Sequence, residues 1–198
     1  MNHEVVIVRH GRTDANARRL LAGRINPPLD TTGWEQVRRV AARLTDVDRV
    51  ITSPLDRARQ TAEVIAEAAC VDTIDDSRWI ELDYGDWDGR AIDDVTKEEW
   101  AAFRGDPTFA PPGGESLSEL SERVGQALGD LASHRPVAGV TVVVTHVSPV
   151  KAAVAWSLGA GPELTWRIFV ANASITQLSL GPSGALLRSF NDTGHLEA

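Results

Sequence analysis

The sequence has little cysteine, no long hydrophobic run and no clustered positive charge. Cys70 is the one cysteine in 198 residues, so no disulfide can form within the chain, and this favours a reducing compartment. No stretch approaches the ~18 apolar residues that a membrane-spanning helix requires. The first residues, MNHEVVIVRH, lack the basic leader and apolar core of a signal peptide. We therefore expect a cytoplasmic protein without a membrane partner.

Positive charge is outnumbered across the chain. Lys and Arg total 20 against 28 Asp and Glu, which gives a formal net charge of -8. A nucleic-acid partner is not expected, because such binders concentrate basic residues on one face. Any anionic ligand must instead be held by a local cluster. The hydrophobic content of 42% and charged content of 24% are typical of a globular protein, and the length predicts a single domain over residues 1–198.

Short β-branched runs alternate with amphipathic helical patterns along the chain. Strands are predicted at 4–8, 47–52, 140–145, 173–180 and 185–190, the last two forming an antiparallel pair. Helices are predicted after possible caps at Thr32, Ser53, Ser116 and Ser148. This alternation predicts an α/β fold, a three-layer sandwich with a mostly parallel central sheet flanked by helices.

The segment from about 85 to 115 departs from this alternation. It mixes aromatic residues, acids, glycine and proline around a short predicted helix at 92–103. Long excursions of this kind often form lids or binding loops. We interpret the segment as a lid-like excursion, and the alternative is a surface subdomain without a ligand role.

Three predicted strands end in polar clusters. The clusters are Arg9-His10-Gly11, Ser53 with Arg57, and Thr145-His146. Ligands of open α/β sheets bind at the carboxyl ends of the strands, so we expect the clusters to meet there. Arg57 can reach the same edge, because helical side chains point back toward the helix N-terminus. Two arginines and two histidines in an acidic protein predict a phosphate pocket.

Five segments that include these clusters carry a family pattern. They are VVIVRHGRTDAN, SPLDRARQTA, ELDYGDWDG, VVVTH and NDTGHL. Their order and spacing resemble the histidine phosphatases of the phosphoglycerate-mutase-like superfamily, over nearly the whole chain. The resemblance implies a phosphoglycerate-mutase-like fold and a catalytic set of named roles: His10 as the phosphorylated nucleophile, Arg9, Arg57 and His146 as phosphoryl ligands, Asn16 completing the pocket, and Glu81 as proton donor.

These roles agree with the chemistry of phosphoryl transfer. A neutral imidazole attacks phosphorus through one nitrogen while the other is held as a donor, so His10 requires a fixed tautomer. Surrounding positive charge is expected to lower the pKa of His10, while His146 facing the phosphate is expected to be charged. The two arginines and His146 can stabilise the transferring group, so we expect no metal and no cofactor.

Sequence reasoning leaves the reaction type partly open. The segment after Glu81 resembles phosphatases rather than mutases, and HVSPVKAAVA after the second motif histidine resembles acid phosphatase domains that actinobacteria fuse to ribonuclease H. The leading hypothesis is a metal-independent phosphomonoesterase acting on a small phosphorylated metabolite. The alternatives are a phosphomutase of sugar or glycerate phosphates and a catalytically weak, phosphate-binding regulatory module.

Several further residues receive provisional roles. Arg24, Trp87, Glu115 and Ser116 are candidates for substrate binding, with Arg24 a candidate for a second anionic group. Asp83, Asp86 and Asp88 are rivals of Glu81 on composition alone. The remaining histidines, His3, His134 and His195, are expected to have structural roles.

Overall fold

A six-stranded sheet forms the centre of the chain in a computed structural model that describes residues 3–133 and 139–197. Its strands are β1 (His3–Arg9), β2 (Val47–Thr52), β3 (Thr73–Asp75), β4 (Val140–Thr145), β5 (Ile175–Gly181) and β6 (Gly184–Asp192). In the described ranges, their order across the sheet is β3-β2-β4-β1-β5-β6. Strands β1 to β4 run parallel, whereas β5 pairs antiparallel with both β1 and β6.

Helices cover both faces of the sheet. They are α1 (Asp14–Ala17), α2 (Thr31–Arg43), α3 (Asp56–Ala69), α4 (Lys97–Gly105), α5 (Leu117–Ser133) and α6 (Val147–Leu158). One pair, α2 and α3, packs on one face, and the other pair, α5 and α6, packs on the opposite face. The predicted α/β architecture with a mostly parallel, helix-flanked sheet is therefore confirmed.

The central strand β1 has a continuous apolar sequence because both of its faces are covered by helices. Val5 and Ile7 belong to the core beneath α5 and α6, whereas Val6 and Val8 belong to the core beneath α2 and α3. All four are buried. A strand covered on both faces has no solvent side, so its polar residues are confined to its ends.

The helix starts differ from three of the four predicted caps. The predicted Thr32 cap is wrong, because α2 is capped by Asp30, whose carboxylate accepts from Gly33 N at 2.7 Å. The prediction of Ser53 as a cap is also wrong. Helix α3 starts at Asp56, and the Ser53 hydroxyl lies 2.7 Å from His146 Nε2 instead.

The predicted cap is confirmed for α5 and is wrong for α6. Ser116 and Glu119 form the predicted capping box, each side chain bonding the backbone N–H of the other. Ser148 does not cap α6, because that helix starts at Val147 with His146 in the capping position. Ser53 and Ser148 thus bond side chains that are distant in sequence, His146 and Tyr84, instead of capping a helix.

The excursion at 85–115 is packed against the body of the protein. Trp87, Phe103 and Trp166 share one aromatic cluster, with ring centroids of Trp87 and Phe103 5.9 Å apart and those of Phe103 and Trp166 5.3 Å apart. The ends of the excursion are tied together by Glu115 N donating to Asp83 O at 2.9 Å. The segment therefore folds as an aromatic subdomain, and its movement as a lid stays a prediction.

Two of the three histidines that were expected to have structural roles lie within the described residues. His3 is buried between Leu131 O and Thr141 Oγ1, and His195 Nε2 donates to Ala173 O at 3.0 Å, so both have structural partners. His134 lies outside the described residues.

Strand β3 was not predicted from the sequence. No helix in the described part of the chain combines the length and the apolar character needed to cross a membrane.

Two glycines allow the turn after β1 to contact the start of α2. A Cβ on Gly11 would lie 2.7 Å from Gly33 O, and a Cβ on Gly33 would lie 2.1 Å from Arg12 O. Gly11 is therefore required for close backbone approach. This contact fixes the turn in which His10 lies.

We predict that Gly33→Ala destabilises the protein. The added methyl group would collide with a backbone oxygen that cannot rotate away, so the free energy of unfolding should fall by about 2 kcal/mol. Urea denaturation followed by circular dichroism measures this change. The matched control is Gly129→Ala in α5, where a Cβ meets nothing within 4 Å and stability should rise by up to ~1 kcal/mol. Equal midpoints for the two variants would contradict the close-approach argument.

Candidate active site

A cavity of about 570 Å³ opens at the carboxyl ends of β1 and β4. Its lining includes Arg9, His10, Asn16, Arg57 and Glu81. Five of the residues predicted for the catalytic set thus meet at one place. The sixth, His146, lies directly beneath, with its ring centroid 5.0 Å from that of His10.

His10 is fixed in a single tautomer. Its Nδ1 lies 2.7 Å from Gly11 O, and a carbonyl oxygen can only accept, so Nδ1 carries the hydrogen. Nε2 is therefore the unprotonated nitrogen of a neutral ring. His10 N also donates to Thr145 O at 2.9 Å, which ties the histidine to the end of β4.

Burial keeps His10 neutral. The side chain is 2% exposed, and desolvation, followed by the positive charges of Arg57 and Arg9, lowers the pKa of His10 well below 6.5. The sequence predicted the direction of this shift but named the arginines as its cause. Desolvation is the larger contribution, because a charged imidazole here would lose its water as well as face two cations.

Arg57 joins three parts of the site. Its guanidinium donates to Ile25 O at 2.8 Å and Gly23 O at 2.9 Å, so the loop before α2 is held by this side chain. Its Nε donates to His146 Nδ1 at 3.1 Å. Burial lowers the pKa of Arg57 to about 10, which still leaves the side chain charged at neutral pH.

His146 takes the tautomer opposite to that of His10. Because Arg57 Nε can only donate, His146 Nδ1 accepts, and Nε2–H points to Ser53 Oγ at 2.7 Å. Desolvation, then Arg57 and His10, lower the pKa of His146 well below 6.5. The protein's own groups therefore favour the neutral ring, and the expectation of a charged His146 facing a phosphate stays a prediction.

Arg9 presents its guanidinium to the cavity from the end of β1. Nη1 donates to Val170 O at 2.7 Å, while Nε is buried with no partner in the described part of the protein. Desolvation lowers the pKa of Arg9 to about 10, against the opposing effect of Glu81. A buried donor without a partner is costly, and it suits an anion in the cavity.

The amide of Asn16 is oriented by its neighbours. Oδ1 accepts from Thr13 N at 3.1 Å, Thr13 Oγ1 at 3.0 Å and Asn172 Nδ2 at 3.1 Å. These donors identify the oxygen, so the amide nitrogen of this cavity-lining residue is the group that remains to donate. That arrangement fits the completion of an oxyanion pocket.

Glu81 lies in a loop after β3 and is 5% exposed. Its Oε1 accepts from Leu82 N at 2.8 Å and from Ser148 N, in the first turn of α6, at 3.2 Å. The carboxyl group is thus fixed through one oxygen. The second oxygen is left to interact with a ligand in the cavity.

Tyr84, Asn172 and Arg123 support the site but were not identified from the sequence. Tyr84 lines the cavity and bonds Ser148, and burial raises its pKa. Arg123 donates to Glu81 O at 3.2 Å. The position of Tyr84 three residues after Glu81 could have suggested its role, whereas Asn172 and Arg123 are distant in sequence and carried no local signal.

The four candidates for substrate binding do not line the cavity. Arg24 lies 3.6 Å from Asp83 and 3.7 Å from Glu115. Glu115 also bonds Arg123 Nε at 2.6 Å. The structure thus places both residues outside the cavity in contact with other protein groups, and substrate contact by either one stays a prediction.

Trp87 and Ser116 also lie away from the cavity. Trp87 is 2% exposed and packs within the aromatic cluster. Ser116 caps α5, with Oγ 2.8 Å from Glu119 Oε2. The structure gives these two side chains packing and capping roles, and their contact with substrate stays a prediction.

Within residues 3–133 and 139–197, no group of three or more His, Cys, Asp or Glu side chains could hold a metal ion. The positive charge in the cavity is supplied by arginine.

A family model agrees with this geometry over most of the chain. The model described as histidine phosphatase superfamily (branch 1) matches residues 5–193. All six residues of the predicted catalytic set fall within that range.

Curated relatives include probable phosphoglycerate mutases and a bifunctional protein. The chain is 35% identical over 206 residues to a probable phosphoglycerate mutase, GpmB, of Klebsiella pneumoniae, covering 98% of this chain and 95% of the relative. It is 33% identical over 199 residues to a bifunctional protein of Mycobacterium tuberculosis, covering 97% of this chain and 54% of that protein. The chain thus spans about half the length of the first curated relatives.

Solved structures with the same fold include proteins that are phosphatases by name. A mycobacterial glucosyl-3-phosphoglycerate phosphatase, in a complex with VO3, superposes with a TM-score of 0.89 at 26% identity, covering 96% of this chain and 100% of that one. Phosphoserine phosphatase from Entamoeba histolytica, in a complex with 3-phosphoglyceric acid, gives 0.90 at 25% identity, covering 98% and 99%.

We predict that Arg57→Gln raises the pKa of His10 and reduces activity. Loss of the Arg57 charge removes a cause of the lowered pKa, so the imidazole should protonate at higher pH, and turnover should fall by about 10²-fold. Histidine-labelled NMR titration and kcat/KM against pH measure the two effects. The control Arg59→Gln removes an exposed arginine that pairs with Asp75 and should change neither.

The variant Arg57→Lys separates charge from folding. It retains the positive charge and should keep the pKa of His10 low even if the loop at 22–25 loosens. A folded Arg57→Gln protein with an unchanged His10 titration would contradict the electrostatic argument.

Proposed function

The chain belongs to the histidine phosphatase superfamily, and we propose that it is a phosphomonoesterase that hydrolyses a small phosphorylated metabolite through a phosphohistidine, without metal. The observation that carries the proposal is the bond between His10 Nδ1–H and Gly11 O at 2.7 Å. It presents a neutral Nε2 between two arginines, as nucleophilic attack on a phosphoryl group requires.

In the first step, His10 Nε2 forms a bond to phosphorus while the ester P–O bond breaks. The electron pair of that bond leaves with the alcohol oxygen, and Glu81 transfers a proton to it. Arg9 and Arg57 donate to the phosphoryl oxygens, with the amide of Asn16 as a further donor. Donors already in position lower the barrier, because they need not reorganise as charge develops.

In the second step, water replaces the alcohol. The Glu81 carboxylate takes a proton from water, the water oxygen bonds to phosphorus, and the P–Nε2 bond breaks. Inorganic phosphate leaves, and His10 and Glu81 return to their starting forms. Leu82 N and Ser148 N hold Glu81 in one position through both steps.

The local charges support chemistry without a metal and activity at acidic pH. Two buried arginines provide the positive charge that a divalent cation provides in other phosphoryl-transfer enzymes. Because the folded-state pKa of His10 lies below 6.5, its imidazole stays neutral as the pH falls through that value. This supports the acid phosphatase expectation. Cytoplasmic location remains a prediction from the sequence.

A phosphomutase is the second candidate function. The 35% identical relative named as a probable phosphoglycerate mutase favours it. A mutase returns the phosphoryl group from the histidine to a second hydroxyl group, so it must retain the intermediate and exclude water. The regulatory-module alternative has less support, because each residue needed for phosphoryl transfer is present and ordered around the cavity.

We predict an acid-labile, alkali-stable phosphoenzyme formed on His10. Mixing with a labelled phosphate monoester in the presence of a chelator, followed by an alkaline quench, should trap the label on the protein. His10→Ala should abolish it, whereas the control His195→Ala, which removes a histidine bonded to Ala173 O, should retain it. Isomerised ester in place of inorganic phosphate would favour the mutase, and label retained in His10→Ala would rule out the mechanism.

We predict that Glu81→Gln affects poor leaving groups selectively. An alkyl alkoxide needs a proton to depart, whereas para-nitrophenolate hardly does, so the loss of kcat should be about 10²-fold or more for an alkyl ester and much smaller for the aryl ester. Vanadate inhibition should change little. Steady-state kinetics on both esters test this.

The controls for Glu81 are Asp83→Asn and Asp88→Asn. Asp83 Oδ1 accepts from Gly85 N, and Asp88 Oδ2 accepts from Arg24 N, so both already bond the local backbone. A selective loss on the alkyl ester in either variant, instead of in Glu81→Gln, would move the proton-donor role to that residue.

A further inference from the structure

The cavity has two different ends. Its inner end holds the arginines and His10. The rest of the lining, called the outer part below, includes the apolar side chains of Leu20, Ala22, Ile92, Phe169 and Leu196 together with the polar ones of Arg19, Gln36, Tyr84 and Asn172. The five apolar residues come from four separated segments of the chain. The outer part is where the alcohol portion of a phosphate ester would lie once its phosphoryl group is held at His10.

One apolar wall is held by Arg57. Leu20 forms an antiparallel bridge with Ala91, and Ile92 N donates to Arg19 O at 3.0 Å. Arg57 bonds the carbonyl of Gly23 in the same segment at 2.9 Å. The wall that carries Leu20 and Ile92 is therefore fixed relative to the phosphoryl end.

The opposite wall is formed by Phe169, which is the most exposed of the large hydrophobic side chains in the described residues, at 72%. Isolated exposed apolar residues are common. Phe169 differs because the backbone that follows it is anchored: Arg9 bonds Val170 O at 2.7 Å, and Ala171 N bonds Asn191 Oδ1 at 2.7 Å. An arginine of the phosphoryl end thus holds an apolar ring at the mouth of the cavity.

Charge in the outer part is sparse. Besides Arg9, Arg57 and Glu81, the charged side chain lining the cavity in the described part of the chain is Arg19, and it lies 3.4 Å from Asp93. Arg24 is paired with Asp83 and Glu115 outside the cavity. A carboxylate or a second phosphate on the substrate would therefore meet Arg19 in this part of the cavity, in competition with Asp93.

We propose that the substrate is the phosphate monoester of an apolar alcohol, whose alkyl or aryl group packs against Phe169. This inference rests on the proposed phosphatase function. It specifies the substrate class of the same site. An apolar group is favoured there because contact with Phe169 removes apolar surface of both ring and substrate from water.

The first test compares esters with similar leaving groups. The probes are n-hexyl phosphate, glycerol 1-phosphate and 3-phosphoglycerate, assayed by released phosphate. Hexyl phosphate should have the highest kcat/KM, by about tenfold or more over glycerol 1-phosphate. A higher kcat/KM for 3-phosphoglycerate than for hexyl phosphate would overturn the proposal.

The second test removes the aromatic ring. Phe169→Ala should lower kcat/KM for hexyl phosphate by about tenfold, or about 1.4 kcal/mol, mainly through KM, and should change glycerol 1-phosphate less than about twofold. Phe169→Leu should restore most of the loss. The control Leu186→Ala removes another exposed apolar side chain, on β6 and outside the cavity lining, and should have no effect. Equal losses on both esters would overturn the role of Phe169.

A binding experiment separates this inference from the proposed function. Hexylphosphonate and 6-phosphonohexanoate share a chain, but the second adds a carboxylate, and neither can be hydrolysed at a P–O–C bond. Calorimetry should show tighter binding of hexylphosphonate, with the difference reduced in Phe169→Ala. If that preference holds while no ester is hydrolysed and no phosphoenzyme forms, the function fails and the specificity stands. Tighter binding of 6-phosphonohexanoate would overturn the specificity.

Discussion

The buried guanidinium of Arg57 is the interaction on which the site depends. It is 1% exposed and bonds His146 Nδ1 together with backbone carbonyls of residues 22–25. A cation removed from water must be compensated by acceptors, and here those acceptors are parts of the cavity wall. The charge that would bind a phosphoryl group therefore also fixes the shape of the site around it.

Two neighbouring histidines take complementary forms under this influence. Both are neutral, because burial and the arginines lower the pKa of each. His10 carries its hydrogen on Nδ1, facing Gly11 O, whereas His146 carries it on Nε2, facing Ser53. One ring thereby presents an unprotonated Nε2, whereas both nitrogens of the other are engaged by Arg57 and Ser53. The two histidines differ because their hydrogen-bond partners fix different tautomers.

The cavity combines this polar inner end with an outer part that includes apolar side chains. The same two arginines that line the inner end hold the outer walls, Arg57 through the segment at 22–25 and Arg9 through Val170. Catalysis and specificity are consequently linked by backbone hydrogen bonds. The bond from Arg9 holds the backbone next to Phe169 in position, although the ring itself is exposed.

The sequence by itself determined the layered fold, the strand ends and the family, and it predicted the residues that meet at the cavity, because these depend on local periodicity and on a family pattern in fixed order. The start of α5 was likewise predicted, since Ser116 and Glu119 satisfy each other within one turn. Tertiary structure decided the rest. Ser53 and Ser148 gave up capping for partners distant in sequence, Arg24 and Glu115 paired within the protein, and His146 became neutral through burial. Such outcomes depend on which groups packing brings within hydrogen-bond distance and on how much water it removes, and neither quantity is encoded in the local spacing of residues.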